Sequence, residues 1–208
     1  MVDPVVRRNR LVKDLEKMEL IRCPAIQFEA FDLPHPERYE IKFRLRSLLG
    51  TNGDTPTYSP DGHLHHVEIK LTKAYPENLV GADVRFLSVP IFHPNVYVGG
   101  TVCIRSYNPS ESLANFVLRL ARYIQCDPGF TGLDSPANPT ARDFFVAHPG
   151  LFPTDRTVLP TGEKKLTFTG NIVEVQPRKT FVVHPPAAAA PVQKKRFVVS
   201  GSTPGVAQ

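Results

Sequence analysis

The chain has 208 residues, 41% of them hydrophobic and 22% charged, which is typical of a globular protein with one ordinary domain and an appendage. No run approaches the roughly 18 apolar residues of a membrane helix, and no apolar segment follows the basic N-terminus, so we expect a cytoplasmic protein that uses no membrane. The net charge of +5 comes entirely from residues 155–208, so the basic pI gives no support to nucleic-acid binding by the rest of the chain.

The first predicted element is an amphipathic helix over residues 5–20. Leu11, Leu15 and Met18 recur at helical spacing, and charged residues stand between them. The helix should end near Cys23, because a residue that precedes a proline resists the helical conformation.

Four predicted strands follow, and apolar and polar side chains alternate in each of them. They cover residues 26–32, 39–46, 66–72 and 84–87. Alternation with period two gives each strand one buried face and one solvent face, as in an antiparallel meander. The connections at 51–62 and 75–81 are rich in Gly, Pro, Asn and Asp, so they predict turns.

Residues 90–110 have little periodicity and predict a long ordered loop, which in a compact domain is usually functional. Ser110 is the predicted N-cap of a second helix that extends to about residue 125. A third helix should begin near Pro139 and stop before Pro149. Strands grouped first and helices grouped later predict an α+β domain over residues 1–150.

Residues 151–208 form a basic, proline-marked C-terminal extension in the predicted domain organisation. Gly170-Asn171 fits the turn of a β-hairpin between residues 166–169 and 172–175. Two interpretations stay open: a flexible extension with transient strands, or a docking arm that adds a strand to a partner's sheet.

Three cysteines, Cys23, Cys103 and Cys126, are too few and too widely spaced for a disulfide framework or a cysteine-only zinc site. One of them can therefore serve as a free nucleophile in a reducing compartment. Three histidines within residues 63–66 have no carboxylate or cysteine at ligand spacing, so they predict a solvated strand face. We expect no metal and no other cofactor.

The most informative stretch runs from His93 to Ile104 and reads His-Pro-Asn-Val-Tyr-Val-Gly-Gly-Thr-Val-Cys-Ile. It closely resembles the active-site signature of ubiquitin-conjugating enzymes, in which His-Pro-Asn precedes a glycine-containing turn and a catalytic cysteine at the same spacing. Tyr75-Pro76 and residues 135–141 also match motifs of that family, and the resemblance extends over about residues 5–147. It implies the ubiquitin-conjugating (UBC) fold, with an N-terminal helix, a four-stranded antiparallel meander, a long active-site loop and two C-terminal helices.

The resemblance implies that Cys103 accepts a ubiquitin-like protein as a thioester and passes it to an amine of a target. Asn95 would stabilise an oxyanion or hold the active-site loop, and these two roles stay open. Asp134 or Ser135 would orient and deprotonate the incoming lysine, and the alignment does not decide between them.

The remaining residues of the signature have predicted roles in shaping the active-site loop. His93 and Pro94 would set the path of the loop, and a general-base role for His93 is the less favoured alternative. Gly99 and Gly100 would allow positive φ and a close approach of the backbone.

The implied partners are an E1-like activating enzyme, which contacts the first helix in the family, a ubiquitin-like protein and the target protein. The chain lacks the family's Trp after the cysteine and has Glu77-Asn78 where a Phe often stands, so we do not expect a RING-type ligase. This trimmed form resembles the E2-like proteins of bacterial ubiquitin-like conjugation systems, several of which act in antiphage defence. The alternative is a non-catalytic binding module that recruits a ubiquitin-like protein or its activating enzyme, and the presence of Cys103 counts against it.

Overall fold

The protein is described here from a computed structural model, which covers residues 2–104 and 107–161. The helices are α1 (Pro4–Ile21), α2 (Leu113–Ile124) and α3 (Pro139–Ala147). The strands are β1 (Ile26–Phe31), β2 (Arg38–Phe43), β3 (Leu48–Asn52), β4 (Thr55–Tyr58), β5 (His65–Lys70) and β6 (Val84–Phe86). The predicted hairpin at 166–175 lies outside the described residues. The predicted α+β class, with a helix, an antiparallel sheet, a long loop and two helices, is confirmed.

Helix α1 begins where the sequence predicts, because Asp3 and Pro4 form a favourable helix start. The Asp3 carboxylate accepts the N–H groups of Val5 (2.7 Å) and Val6 (3.1 Å), and proline at the first helical position needs no hydrogen bond. The apolar face of α1 is buried in the main core together with the inner face of the sheet and α2. Within the described ranges, no helix is long and apolar enough to cross a membrane.

The main sheet has the strand order β1-β2-β5-β6, and all its neighbours are antiparallel. Its register places Phe28, Ile41, Val67 and Phe86 in one row across the four strands, and all four side chains are buried. Cross-strand apolar pairs of this kind stabilise a sheet and fix its register. The prediction of a four-stranded antiparallel sheet is therefore confirmed.

A β-hairpin formed by β3 and β4 overlaps residues 51–62, which the sequence predicts as a plain turn. The two strands are joined across Gly53-Asp54, and Gly53 has a φ of +58°, which glycine adopts without steric cost. Leu48 anchors the hairpin in a second hydrophobic cluster with Cys126 and the aromatic face of α3. The turn prediction for 51–62 is wrong where this segment forms strands, at residues 51–52 and 55–58. Most residues of the hairpin are polar, so they do not show the alternation of apolar and polar side chains that predicts a strand.

The N-cap of α2 is Ser112, two residues later than the predicted Ser110. The Ser112 hydroxyl accepts the N–H of Asn115 at 3.3 Å, whereas the backbone N–H of Ser110 donates to the side chain of Asn108 at 2.9 Å. Both serines suit a helix start by type, so only tertiary contacts select between them. Helix α3 has the predicted bounds.

His65 is fully buried, which contradicts the predicted solvated strand face for this residue. It points inward from β5 like Val67 and Ile69, and its ring lies edge-on to Phe86 with 6.3 Å between the ring centroids. The alternation of β5 therefore places His65 on the core side and His66 on the opposite side.

Two buried histidines are expected to make the fold sensitive to acid. Burial and the nearby His63 lower the pKa of His65 to about 4, and burial lowers the pKa of His93 to about 3. An unfolded chain has histidine pKa values near 6.5, so between about pH 6.5 and 4 it binds more protons than the folded protein. The free energy of unfolding should therefore fall as the pH falls, by up to about 1.4 kcal/mol per pH unit for each histidine.

Urea unfolding at a series of pH values from 7.5 to 4.5 measures this loss. His65→Phe, which removes one of the two titrating groups, should reduce the slope below pH 6 by about half. His66→Gln, on the outer face of the same strand, controls for the loss of a histidine. An equal slope in His65→Phe and the unmodified protein would contradict the assignment.

Candidate active site

Residues 95–103 fold back on themselves in a tight turn at the edge of the main sheet. The Tyr97 N–H donates to the carbonyl of Thr101 (2.9 Å), and the Gly100 N–H donates to the carbonyl of Tyr97 (2.8 Å). The Gly100 carbonyl in turn accepts the N–H of Phe86 in β6 at 2.9 Å. The turn is therefore fastened to the sheet and does not depend on its own hydrogen bonds alone.

Cys103 lies at the end of this turn, and it is a partly exposed residue that forms no disulfide. Its backbone N–H donates to the carbonyl of Asn95 at 2.8 Å, which places the two residues side by side. Val102 is fully buried immediately before it, and Ile104 packs against the core immediately after it. A thiol on a backbone anchored in this way can meet a reactant from solvent in a fixed position.

The two glycines of the turn have different roles. Gly100 has a φ of +86°, and a Cβ added there would lie 3.1 Å from the carbonyl oxygen of Phe86. Gly99 has no positive φ, and a Cβ added there would meet no atom within 4 Å. The predicted need for glycine holds for Gly100 and is wrong for Gly99.

Gly100→Ala is expected to destabilise the protein by about 1–2 kcal/mol, because alanine is strained at this φ and crowds the Phe86 carbonyl. Gly99→Ala is the matched control on the adjacent residue and should stay within about 0.5 kcal/mol of the unmodified protein. Urea denaturation of both variants gives the two free energies of unfolding. Equal losses in the two variants would contradict the assignment.

His93 is fully buried and serves as a structural link. Its Nδ1 accepts the backbone N–H of Asn95 (3.0 Å), so Nε2 carries the proton and donates to the Thr131 hydroxyl (3.2 Å). The ring stacks on Tyr123 with 5.1 Å between the centroids. Since both ring nitrogens are engaged and burial lowers the pKa of His93 to about 3, the geometry fits the shaping role and gives no support to a general base.

Pro94 and Asn95 extend this link to the loop that precedes α3. The Pro94 carbonyl accepts the N–H groups of Ala137 (2.7 Å) and Asn138 (3.2 Å), and the Asn95 side-chain oxygen accepts the N–H of Gly132 (2.9 Å). Together with the contact between His93 and Thr131, these bonds hold both ends of residues 131–138, here called the facing loop.

Asp134 and Ser135 lie in the middle of the facing loop, and both are exposed. The His-Pro-Asn motif thus connects the segment that carries Cys103 to the segment that carries the two candidate residues for amine activation. The structure places both residues on this loop but does not distinguish between them.

The Asn95 side chain is fully buried, and its two polar atoms are in different situations. The oxygen anchors Gly132, whereas the nitrogen Nδ2 has no hydrogen-bond partner among the described residues. A buried donor without a partner is costly, and native structures keep few of them. The Nδ2 group is therefore an enclosed donor that binds no acceptor among the described residues.

The remaining cysteines differ from Cys103 in their surroundings. Cys126 is fully buried beyond the end of α2, and burial raises the pKa of its thiol to about 12. Cys23 is partly buried just after α1 and packs against the core. Among the described residues, no group of three His, Cys, Asp or Glu side chains is placed to share a metal ion.

The sequence-based prediction missed a buried ionic cluster between α1 and the start of α2. Asp14 is only 1% exposed, and its carboxylate accepts hydrogen bonds from Arg10 Nε (2.6 Å), the Tyr75 hydroxyl and the Leu113 N–H (3.0 Å). One signal was available in the sequence: Asp14 stands three residues after Leu11, on the apolar face of the predicted helix.

Comparison with known proteins finds sequence similarity to a plant enzyme. The ubiquitin-conjugating enzyme E2 3 of Arabidopsis thaliana is 34% identical over 96 residues, which cover 44% of this chain and 57% of the plant enzyme. The match thus spans little more than half the length of that relative. No family profile matches the chain.

Two solved structures resemble the fold. S. cerevisiae Ubc12 superposes with a TM-score of 0.48 and 19% identity, and the match covers 68% of this chain and 71% of that one. A protein described as a novel ubiquitin-conjugating enzyme superposes with a TM-score of 0.48 and 21% identity, covering 73% and 96% of the two chains. Likenesses of this strength have no bearing on function.

The signature around Cys103 and the sequence match to the plant enzyme lead to the same class of protein. The chain is similar to ubiquitin-conjugating enzymes, so the resemblance that the sequence motifs predict is confirmed. The chain differs from the plant enzyme at about two thirds of the matched residues, so this similarity is distant. Its placement among bacterial E2-like proteins stays a prediction, because the comparisons do not confirm it.

Proposed function

We propose that this protein accepts the C-terminal acyl group of a ubiquitin-like protein as a thioester on Cys103 and transfers it to an amine of a target. One observation carries the proposal. Cys103 is partly exposed, and its backbone N–H donates to the carbonyl of Asn95, whose buried Nδ2 donor has no partner among the described residues.

In the first step, the Cys103 thiolate attacks the carbonyl carbon of a thioester on the activating enzyme. The carbonyl π electrons move to oxygen, and the Asn95 Nδ2–H group is the proposed donor to that oxyanion. The intermediate then collapses, the bond to the activating enzyme's sulfur breaks, and that sulfur leaves as a thiolate. One thioester replaces another, so a strong base is not needed, which fits the neutral buried state of His93.

In the second step, a target amine attacks the thioester carbonyl, an amide bond forms, and Cys103 leaves as a thiolate. The amine must lose its proton in this step. The exposed Asp134 and Ser135 are the proposed acceptors or orienting groups, since the His-Pro-Asn motif holds both ends of their loop.

The proposed partners are an E1-like activating enzyme, a ubiquitin-like protein and a target protein. The exposed face of α1 presents Val5, Arg8 and Lys13, which suits contact with the activating enzyme. Glu77 and Asn78 are also exposed, so the two positions after Tyr75-Pro76 offer no large apolar side chain to a RING-type ligase. We propose conjugation without such a ligase.

We also propose that the reaction serves antiphage defence in a bacterium, on the strength of the sequence resemblance alone. Plaque assays on cells that carry the gene with its neighbours test this role. Protection that is lost in Cys103→Ala supports it, and equal plaque numbers with and without the gene refute it.

Incubation of the full chain with ubiquitin, ATP and the ubiquitin-activating enzyme of Arabidopsis thaliana tests the proposed chemistry. A second arm uses the mercaptoethanesulfonate thioester of ubiquitin, which needs no activating enzyme. We expect an adduct with the mass of one ubiquitin less one water, located on Cys103 and removed by dithiothreitol. Absence of an adduct in both arms, or an adduct located on Cys23, would refute the proposal.

A further inference from the structure

We propose that Arg10 and Asp14 of α1 are positioning residues for Cys103. They hold residues 107–113, here called the exit segment, which follow the Cys103 turn and end at the first residue of α2. This inference rests on the proposed function for its effect on acyl transfer. It also makes a separate prediction about the reactivity of the thiol.

Arg10 spans the gap between α1 and the exit segment. Its Nη1 donates to the Pro109 carbonyl at 2.9 Å, its Nη2 donates to the Glu111 carbonyl, and its Nε donates to Asp14 at 2.6 Å. All three donor positions of one guanidinium are therefore used, and two of them bind the backbone of a loop about 100 residues away in sequence. The planar fork of arginine fixes these carbonyls in a way that a flexible ammonium group does not.

Asp14 fixes both Arg10 and the first residue of α2. Its Oδ1 accepts the Leu113 N–H at 3.0 Å, and its Oδ2 accepts from Arg10 and from the Tyr75 hydroxyl. A carboxylate at a helix N-terminus is favoured by the unpaired N–H groups and the helix dipole. The cluster therefore determines where α2 begins and how the exit segment enters it.

The exit segment depends on this cluster because its own backbone makes few hydrogen bonds. Among the described residues, its internal bonds are those from the Glu111 N–H to the Asn108 carbonyl and from the Ser110 N–H to the Asn108 side chain. The Arg119 guanidinium also holds the Glu111 side chain at 2.6 Å. The carbonyls of residues 109 and 111 are fixed from outside by Arg10.

Cys103 is thus held on one side by the turn and on the other by the exit segment. On the N-terminal side, the Asn95 carbonyl and the sheet edge fix the backbone. On the C-terminal side, the described contacts are those of Ile104 and Tyr107, which pack on the core, and the two carbonyls bound by Arg10. Release of the exit segment should leave the thiol more exposed and less well aligned for acyl transfer.

The experiment compares Arg10→Gln with Arg7→Gln in the full chain. Arg7 lies one turn earlier on α1 and also donates to two backbone carbonyls, those of Leu71 (2.8 Å) and Thr72 (3.1 Å), which lie outside the exit segment. Two rates are measured: alkylation of each cysteine by iodoacetamide, located by mass spectrometry, and formation of the Cys103 adduct from the mercaptoethanesulfonate thioester of ubiquitin.

We expect Arg10→Gln to raise the Cys103 alkylation rate about threefold and to lower the acyl-transfer rate about tenfold. Buried Cys126 is the internal control, because its alkylation increases only when the core opens. A merely structural role would raise the alkylation of both cysteines together. Arg7→Gln should change neither the ratio of the two alkylation rates nor acyl transfer.

Asp14→Asn is the second variant, because it keeps the shape of the side chain and removes the charge that orients Arg10. It should shift the two rates in the same directions as Arg10→Gln. An unchanged ratio of Cys103 to Cys126 alkylation in both variants would overturn the inference. If the unmodified protein takes up no ubiquitin, the proposed function fails, and the alkylation ratio still decides whether the cluster positions Cys103.

Discussion

Replacement of Cys103 by alanine is expected to abolish the ubiquitin adduct completely, because neither Cys23 nor Cys126 lies in the turn that follows the His-Pro-Asn motif. Cys103→Ser should give an adduct that forms more slowly and resists dithiothreitol, since serine yields an oxygen ester. Both substitutions change a partly exposed side chain, so the melting temperature should stay close to that of the unmodified protein. Gel mobility and intact mass with and without dithiothreitol distinguish the three proteins.

Cys23→Ser is the matched control for this prediction. Cys23 is also partly buried, but it follows α1 and lies outside the turn of residues 95–103. The control should form the reducible adduct at the rate of the unmodified protein. Retention of the adduct in Cys103→Ala, or its loss in Cys23→Ser, would contradict the prediction and assign the reactive thiol to Cys23.

Asn95→Ala is expected to lower the rate of acyl transfer by about 10²-fold or more. The substitution removes the proposed donor to the oxyanion, and donors of that kind contribute about 10²–10³ in rate. It also leaves the Gly132 N–H without its acceptor, which should cost about 1–3 kcal/mol of stability. Single-turnover transfer to free lysine and urea unfolding measure the two losses separately.

Asn95→Asp and Thr131→Val separate the two roles that the sequence leaves open for Asn95. Aspartate keeps an oxygen acceptor for Gly132 but loses the Nδ2 donor, whereas Thr131→Val loosens the facing loop without changing Asn95. If oxyanion stabilisation dominates, Asn95→Asp should be nearly as slow as Asn95→Ala, and Thr131→Val should be close to normal. If Thr131→Val is instead nearly as slow as Asn95→Ala, and Asn95→Asp is close to normal, the main role of Asn95 is to hold the loop.

The sequence predicts the elements that have strong local patterns. The stripe of Leu11, Leu15 and Met18 predicts α1 within one residue at each end, and period-two alternation predicts the four strands of the main sheet. Each pattern arises because one face of a single element is buried, so it can be recognised without knowledge of what covers that face. The β3–β4 hairpin was missed because its short strands are mostly polar and only Leu48 is fully buried.

The spacing from His93 to Cys103 identifies the site, because a short motif within one turn is fixed by local chain geometry. The sequence by itself therefore determined which cysteine is proposed as the nucleophile, which loop carries it and which class of chemistry is proposed for them. Only the tertiary structure decided that Asn95 anchors Gly132 through its oxygen and leaves its nitrogen unpaired, that Gly100 but not Gly99 requires glycine, and that Asp14 joins α1 to α2. These features depend on contacts between residues 14 to 99 positions apart, and contacts across such separations leave no periodic pattern in the sequence.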